Sequence, residues 1–332
     1  MPIKILFVER QPSEFVSIER VFRLVAAALD PANFSSKFEQ MPYANNILSI
    51  LKNLVFFRHS NAEVFHITGH IHYMIFALPA ARTVLTIHDS RILNRPKGLR
   101  RFILKKVFLD WPVRRARYLT TISEFSKKEI VNATNVIPDK IRVIENPIDP
   151  QLKDFVSKPF NSNEPTILQI GTMENKNVPR LIQAISGIRC KLKIIGPMSE
   201  EIERAVNEAG VTVQNVQNIA ERDLKQEYEN ADIVAFCSTY EGFGLPIIEA
   251  QAAGKLVVTS GISPMTETAG DGAIFVDPLE VGSIRNGILQ AINDPDRHAK
   301  LIEAGFANIK RFDPGIIAAK YQGLYEEIIA DL

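Results

Sequence analysis

Short apolar runs, each followed by a stretch whose apolar residues recur every three or four positions, alternate along almost the whole chain. A run such as Ile3–Val8 has no polar face, the pattern of a strand covered on both sides. The stretch after it sets Ile18, Val21, Phe22, Val25 and Leu29 on one helical stripe and stops at Asp30-Pro31. Runs at Val64–Ile67, Thr83–Ile87 and Tyr118–Ile122 continue the pattern. Alternation of this kind folds as a parallel sheet with helices on both faces.

The alternation breaks once. Pro147, Pro150, Pro159 and Pro165, with a Ser/Asn cluster at Asn161–Asn163, interrupt it and read as a linker. Beyond it, strands are expected at Thr166–Ile170, Leu192–Ile195, Val211–Asn215, Ile233–Phe236, Leu256–Thr259 and Ala273–Val276. Helices are expected at Val178–Ser186, Ser199–Ala209, Glu221–Asn230, Leu245–Ala253, Val281–Ile292, Pro295–Ile309 and Gly315–Ile329. A chain of 332 residues divided this way predicts two doubly wound α/β domains, 1–150 and 151–314. Ligands of such sheets sit at the carboxyl ends of the strands.

Hydrophobic residues make up 46% and charged residues 23%, the balance of a globular chain rather than a disordered or fibrous one. No window approaches the ~18 uninterrupted apolar residues of a membrane span. Only four apolar residues separate Lys4 from Glu9, too few for a secretory leader. Cys190 and Cys237 lie in apolar, strand-like contexts and imply neither a disulfide framework nor a metal cluster. A reduced, cytoplasmic protein is expected.

The net charge of +1 hides an asymmetry: residues 1–150 carry 22 Lys/Arg against 13 Asp/Glu, and the remainder 17 against 25. The basic half predicts an anionic partner. No Gly-x-Gly-x-x-Gly follows a strand, and neither a P-loop nor His-Glu-x-x-His is present. His66, His70 and His72 have ligand-like spacing, but no nearby Cys, Asp or Glu completes a metal set, and strand-end histidines are the better reading.

The most informative segment is 231–278. A strand ends near Cys237, a loop containing Gly242, Phe243 and Gly244 follows, and a helix opens with Leu245 and Pro246. Helix amides and dipole at such a point attract phosphate, and glycines admit a ligand to the backbone. Glu241 in the loop and Glu249 in the helix cannot bind phosphate but accept hydrogen bonds from hydroxyls. Phosphate flanked by two hydroxyl-binding carboxylates describes a sugar nucleotide.

These residues resemble the retaining glycosyltransferases of family four. The Glu241–Glu249 spacing is that family's Glu-x7-Glu, set in EGFGLPIIEA and flanked by YENADIVAFCS, AAGKLVVTS and ETAGDGAIFVDP. ILQIGTMENKNVPRLIQAI extends the likeness upstream, with weaker echoes in TVLTIHD, TTISEFSKKEI and IRVIENPID. The resemblance implies the GT-B fold, two facing Rossmann-like domains with a cleft between them. The N-terminal domain would bind acceptor and the C-terminal one a nucleoside-diphosphate sugar, with a final helix over about 315–332 packing back on the first domain. It further implies that Gly171, Thr172, Lys176, Val216, Ile219, Glu241, Gly242, Phe243, Gly244, Leu245 and Glu249 bind donor. Lys176 would neutralise the diphosphate, Glu241 take sugar hydroxyls and Glu249 those of the ribose.

The same resemblance points to front-face transfer of a hexose with retention, to a glycan or lipid-linked hydroxyl in cell-surface polysaccharide or glycolipid synthesis, with no metal and no cofactor beyond the sugar-nucleotide co-substrate. His88 is a catalytic candidate, and His70, His88 and Asp89 are candidates for the acceptor side. Three departures stand out: Glu9–Glu14 replaces the family's Gly-Gly loop after the first strand, Cys237 replaces a proline, and the phosphate-binding arginine that the family pairs with the lysine is not evident, with Thr172 and Asn175 nearby instead. A nucleotide-sugar epimerase and a non-catalytic sugar-nucleotide-binding module are the competing readings.

Residues 91–117 hold ten Lys/Arg opposed only by Asp110, interleaved with Leu99, Phe102, Ile103, Val107, Phe108 and Trp111 at helical spacing. The stripe reads either as a core-facing surface or as the face of an amphipathic helix on anionic lipid. The basic half contains no nucleic-acid-binding module, so no nucleic-acid partner is expected. The charge supports docking of the first domain on anionic lipid, as a peripheral protein on the inner face of the cell membrane, or on a phosphorylated lipid-linked acceptor.

Overall fold

The computed structural model describes residues 1–11, 17–43, 47–57, 59–90, 97–154 and 158–332. The chain divides into two compact units, one of 1–147 with 314–332 and one of 148–313.

The first unit begins with β1 (Ile3–Glu9), α1 (Ser17–Ala27), β2 (Phe34–Gln40), α2 (Ile47–Phe56), β3 (Val64–Ile67) and β4 (Thr83–Ile87). It continues through α3 (Gly98–Lys105), α4 (Trp111–Arg115), β5 (Tyr118–Thr121), α5 (Glu124–Thr134) and β6 (Ile141–Val143). Its six strands are ordered β2-β1-β3-β4-β5-β6 and pair in parallel. The inner strands are the apolar runs, and their side chains form one core with Phe108, Leu109 and Val113. The sequence reading missed β2 and β6, both sheet edges. β2 reads Phe-Ser-Ser-Lys-Phe-Glu-Gln, mostly exposed, because an edge strand covered on one face needs no continuous apolar run.

The second unit contains β7 (Thr166–Ile170), α6 (Val178–Ile185), β8 (Lys191–Ile195), α7 (Glu200–Ala209), β9 (Val213–Val216) and α8 (Glu221–Asn230). It is completed by β10 (Ile233–Phe236), α9 (Leu245–Ala252), β11 (Leu256–Ser260), α10 (Met265–Ala269), β12 (Ile274–Val276), α11 (Val281–Asn293) and α12 (Pro295–Ile309). The parallel sheet runs β9-β8-β7-β10-β11-β12, so strand order reverses between β7 and β10. The carboxyl ends of those two strands frame the crevice in which doubly wound sheets bind ligand. α10 was missed from sequence; it is only five residues long.

The stretch read as a linker is partly built into this second unit. Ile148 is fully buried and donates its N–H to Phe312 O at 2.9 Å, and Leu152 is buried in a tight turn at Pro150–Asp154. Lys225 Nζ lies 2.7 Å from Asp149 Oδ2.

The last helix, α13 (Pro314–Ala330), belongs to the first unit. Ile317, Tyr321, Leu324, Tyr325 and Ile328 are buried, and Tyr325 Oη lies 2.7 Å from His66 Nδ1. Glu327 takes a two-pronged bond from Arg142 at 2.6 and 2.7 Å, and Asp331 accepts from Tyr118 at 2.7 Å.

Candidate active site

In the second unit the crevice is built from the loops after β7 and β10. β7 ends at Ile170, and Gly171 turns the chain with φ +83°, where an added Cβ would lie 3.0 Å from Lys176 Cε. A tight turn at Glu174–Lys176 and a left-handed Asn177 then start α6. Asn177 fixes that turn to the neighbouring loops, donating to Cys237 O at 3.0 Å and Pro278 O at 2.6 Å. Thr172 packs against Gly196, whose φ of +133° and missing side chain leave it room. Gly196 N–H bonds Val216 O at 2.9 Å, so Val216 lies at the same carboxyl end of the sheet. Ile219 lies half-buried in the loop beyond.

The two loops clasp each other. Thr239 N–H donates to Asn175 O, and Asn175 Nδ2 returns bonds to Tyr240 O at 2.8 Å and Glu241 Oε1 at 3.1 Å. Lys176 Nζ stands 2.7 Å from Glu241 Oε1 and 4.5 Å from the centre of the Phe236 ring. The cation and the carboxylate assigned separate duties thus face one point. Gly244, with φ +105°, brings the positive end of α9 to the same loop. Phe243 differs from its neighbours: its ring is buried edge-on against Phe312 at 5.5 Å and its carbonyl accepts from Thr268.

Glu249 sits in α9, 4% exposed, with Oε2 accepting from Tyr228 Oη at 2.6 Å. Cys237, in the usual proline position, is a core residue whose thiol burial pushes up to about 12.

The acceptor-side candidates lie in the first unit, at the ends of β3 and β4. His88 Nε2 is 2.7 Å from Thr68 O, which fixes the proton on that nitrogen, and burial lowers its pKa to about 4. It is therefore a neutral imidazole able to accept a hydrogen bond at Nδ1. His70 Nε2 and Asp89 Oδ1 are 3.6 Å apart and partly exposed. His66 is held between Tyr325 and Thr86, and His72 Nδ1 donates to Phe108 O at 2.5 Å. Burial pulls both to about 3. Among the described residues no three His, Cys, Asp or Glu side chains are grouped to hold a metal ion.

Glu9, where the family's glycine loop is replaced, is buried and bonded by Arg23 at 2.7 Å, while Arg10 pairs with Glu19 at 2.7 Å. Pro12, Ser13 and Glu14 of that loop lie outside the described residues, as do Arg91 and Arg95.

Two family models match the chain in succession: "Glycosyltransferase Family 4" over residues 13–152 and "Glycosyl transferases group 1" over 150–307. The chain belongs to glycosyltransferase family four.

This family-four chain is 28% identical to O-antigen chain mannosyltransferase B of Escherichia coli over 260 residues, 70% of the chain and 66% of that protein. It is 26% identical to O-antigen chain mannosyltransferase RfbU of Salmonella typhimurium over 220 residues, 64% of the chain and 61% of that protein. The matches thus span slightly less than two thirds of those relatives. Among solved structures, Anabaena Alr3699/HepE in complex with UDP and glucose superposes with a TM-score of 0.78 at 18% identity, covering 98% of this chain and 100% of that one. The fold is GT-B.

Two residues beside the candidate site have structural roles that the sequence did not announce. Asn175, near the position of the family's phosphate-binding arginine, ties the β7 loop to Glu241. Tyr228 reads as an ordinary apolar helix position, because nothing in its spacing announces a bond to a carboxylate 21 residues away.

Proposed function

We propose that the chain is a retaining hexosyltransferase. It moves a hexose from a nucleoside-diphosphate sugar to a hydroxyl of a glycan or lipid-linked acceptor, in cell-surface polysaccharide or glycolipid synthesis. The observation that carries this reading is the convergence of Lys176, Glu241 and the amino end of α9 on the crevice where the second sheet reverses its strand order. The two mannosyltransferase relatives support a hexose donor and a surface-glycan acceptor.

Breaking the anomeric C–O bond leaves positive charge on the sugar and negative charge on the departing diphosphate. Lys176 and the α9 dipole supply the countercharge at the leaving group, which makes a divalent metal unnecessary. Glu241 orients the sugar through its hydroxyls and Glu249 the ribose. No second carboxylate is assigned to nucleophilic attack, so the acceptor enters on the face the diphosphate leaves and a diphosphate oxygen takes its proton. His88, neutral and rigid, orients the acceptor hydroxyl through Nδ1 together with His70 and Asp89. The sugar nucleotide is the only small molecule required.

The basic surface of 97–117 fits an enzyme working on the inner face of a cell membrane; among the described residues no helix is long and apolar enough to cross one. The test is the anomeric configuration of the product by NMR, with and without EDTA. Retention that survives chelation is expected. An inverted product overturns the mechanism, and conversion of donor without acceptor replaces it with epimerisation.

A further inference from the structure

α3 buries none of its side chains. Leu99, Phe102 and Ile103 are 74%, 58% and 47% exposed, so this part of the stripe does not serve the core, which takes Phe108, Leu109 and Val113 from the turns that follow. Trp111, at the start of α4, is exposed as well.

α2 repeats the feature without any signal from charge. Its inner side is fully used: Asn53 is buried against Tyr43 and Tyr73, and Ile50 and Leu54 pack on the core. Its outer side still shows Leu48, Leu51 and Val55, spaced three and four apart and each more than 60% exposed. A helix apolar on both faces is a buried helix or one that meets a nonpolar phase. α2 and α4 both pack against the turn His72–Phe76, whose Phe76 is also exposed, so the apolar surfaces belong to one neighbourhood of the first unit.

The charge beside this surface selects its partner. Asp110 is buried between Lys105 and Lys106, and Arg117 is paired with Asp331. Lys97, Arg100, Arg101 and Arg114 are exposed and no described carboxylate pairs with them. A second copy of the chain would set these cations against their equals, whereas an anionic leaflet offers counter-charge at its surface and hydrocarbon just below.

We propose that α2 and α3 form a two-helix foot that inserts Leu48, Leu51, Val55, Leu99, Phe102 and Ile103 shallowly into an anionic bilayer leaflet. Burial of these side chains supplies attachment, and the flanking Lys and Arg select anionic lipid. This deepens the membrane-side reading of 97–117 given above, and it does not depend on the transferase chemistry being correct.

Trp111 is the chain's only tryptophan, so its fluorescence reports the foot directly. The full chain is mixed with vesicles of phosphatidylglycerol and phosphatidylcholine at 30:70, and with pure phosphatidylcholine. Expected are co-sedimentation with the anionic vesicles, a blue shift of Trp111 emission, quenching by brominated acyl chains, and a fraction of binding that persists in high salt. Leu51→Glu with Phe102→Glu should weaken vesicle binding ten-fold or more while melting temperature and sugar-nucleotide stabilisation stay as in the parent. The proposal is overturned by parent-like vesicle binding of that double variant, by Trp111 emission indifferent to vesicles, by equal binding to neutral vesicles, or by Leu51→Glu turning a solution dimer into monomers. Failure of the transferase reading would show elsewhere, as absent sugar-nucleotide stabilisation.

Discussion

Lys176 Nζ lies 2.7 Å from Glu241 Oε1, with both side chains about one-eighth exposed, so the cation meant for a diphosphate rests on the carboxylate meant for a sugar. A bound diphosphate must compete with Glu241 for Lys176. Glu241→Gln is expected to tighten a nucleoside diphosphate lacking sugar by roughly three- to ten-fold, since neutralising a close competitor is worth ~0.5–1.5 kcal/mol, while sugar transfer falls. Calorimetry with the diphosphate and a turnover assay measure the two effects; weaker diphosphate binding would dissociate Lys176 from the phosphate role. Lys176→Ala should instead weaken the diphosphate and leave Glu241 short of its partner, lowering stability by roughly 1–3 kcal/mol.

Tyr228 and Glu249 make a second pair, buried and 2.6 Å apart. Glu249→Ala should lower donor affinity by ~1.5–3 kcal/mol, the range for hydrogen bonds to a charged group. Tyr228→Phe leaves the carboxylate in place but less well aimed, so donor KM should rise several-fold with kcat little changed. If calorimetry shows unchanged donor affinity for Glu249→Ala, the ribose assignment is lost.

Gly244 holds φ +105°, and an added Cβ would sit 3.0 Å from Ile247 Cδ1 at the opening of α9. Gly244→Ala therefore strains the backbone by ~1–3 kcal/mol and displaces the helix end that faces the crevice. A lowered melting temperature together with weakened donor binding is expected; wild-type values for both would show that the loop tolerates another geometry.

Three neutral histidines set the acid limit of stability. His66 and His72 sit at about 3 and His88 at about 4, each pulled down from 6.5 by burial. Below pH 6.5 the unfolded chain takes up protons that the folded chain refuses, so stability is complete above that pH and declines as pH falls toward 4 and then 3. Glu9, whose carboxyl burial raises, works in the opposite direction near pH 4.5. Between pH 6.5 and 5.5 the histidines alone imply a loss of roughly 3 kcal/mol. Urea unfolding at pH 7.5, 6.5 and 5.5 checks this, and a flat midpoint would mean that the rings protonate within the fold.

Legibility from sequence followed burial and locality. β7 and β10 are interior strands, so Thr166–Ile170 and Ile233–Phe236 stood out as runs with the same ends the structure gives them. β2 lies at an edge and carries its register in backbone pairing with β1 rather than in apolar residues. In the site, glycines and carboxylates advertise a sugar-nucleotide loop because backbone freedom and hydroxyl recognition need those residue types. The pairing of Lys176 with Glu241 was not legible, since 65 residues separate them and either could have faced solvent. His66 shows the converse error: spaced like a ligand, it is bonded to a tyrosine 259 residues later, a relation only the return of α13 creates.

That return gives the chain an unusual order of completion. Everything from Ile148 to Asp313 is topologically an insertion within the first unit, which closes only when Tyr321 and Tyr325 arrive. During synthesis, domains fold as their residues emerge. The second unit therefore has all of its parts while the first still presents an uncovered His66, and the half of the protein translated first is the half that finishes last.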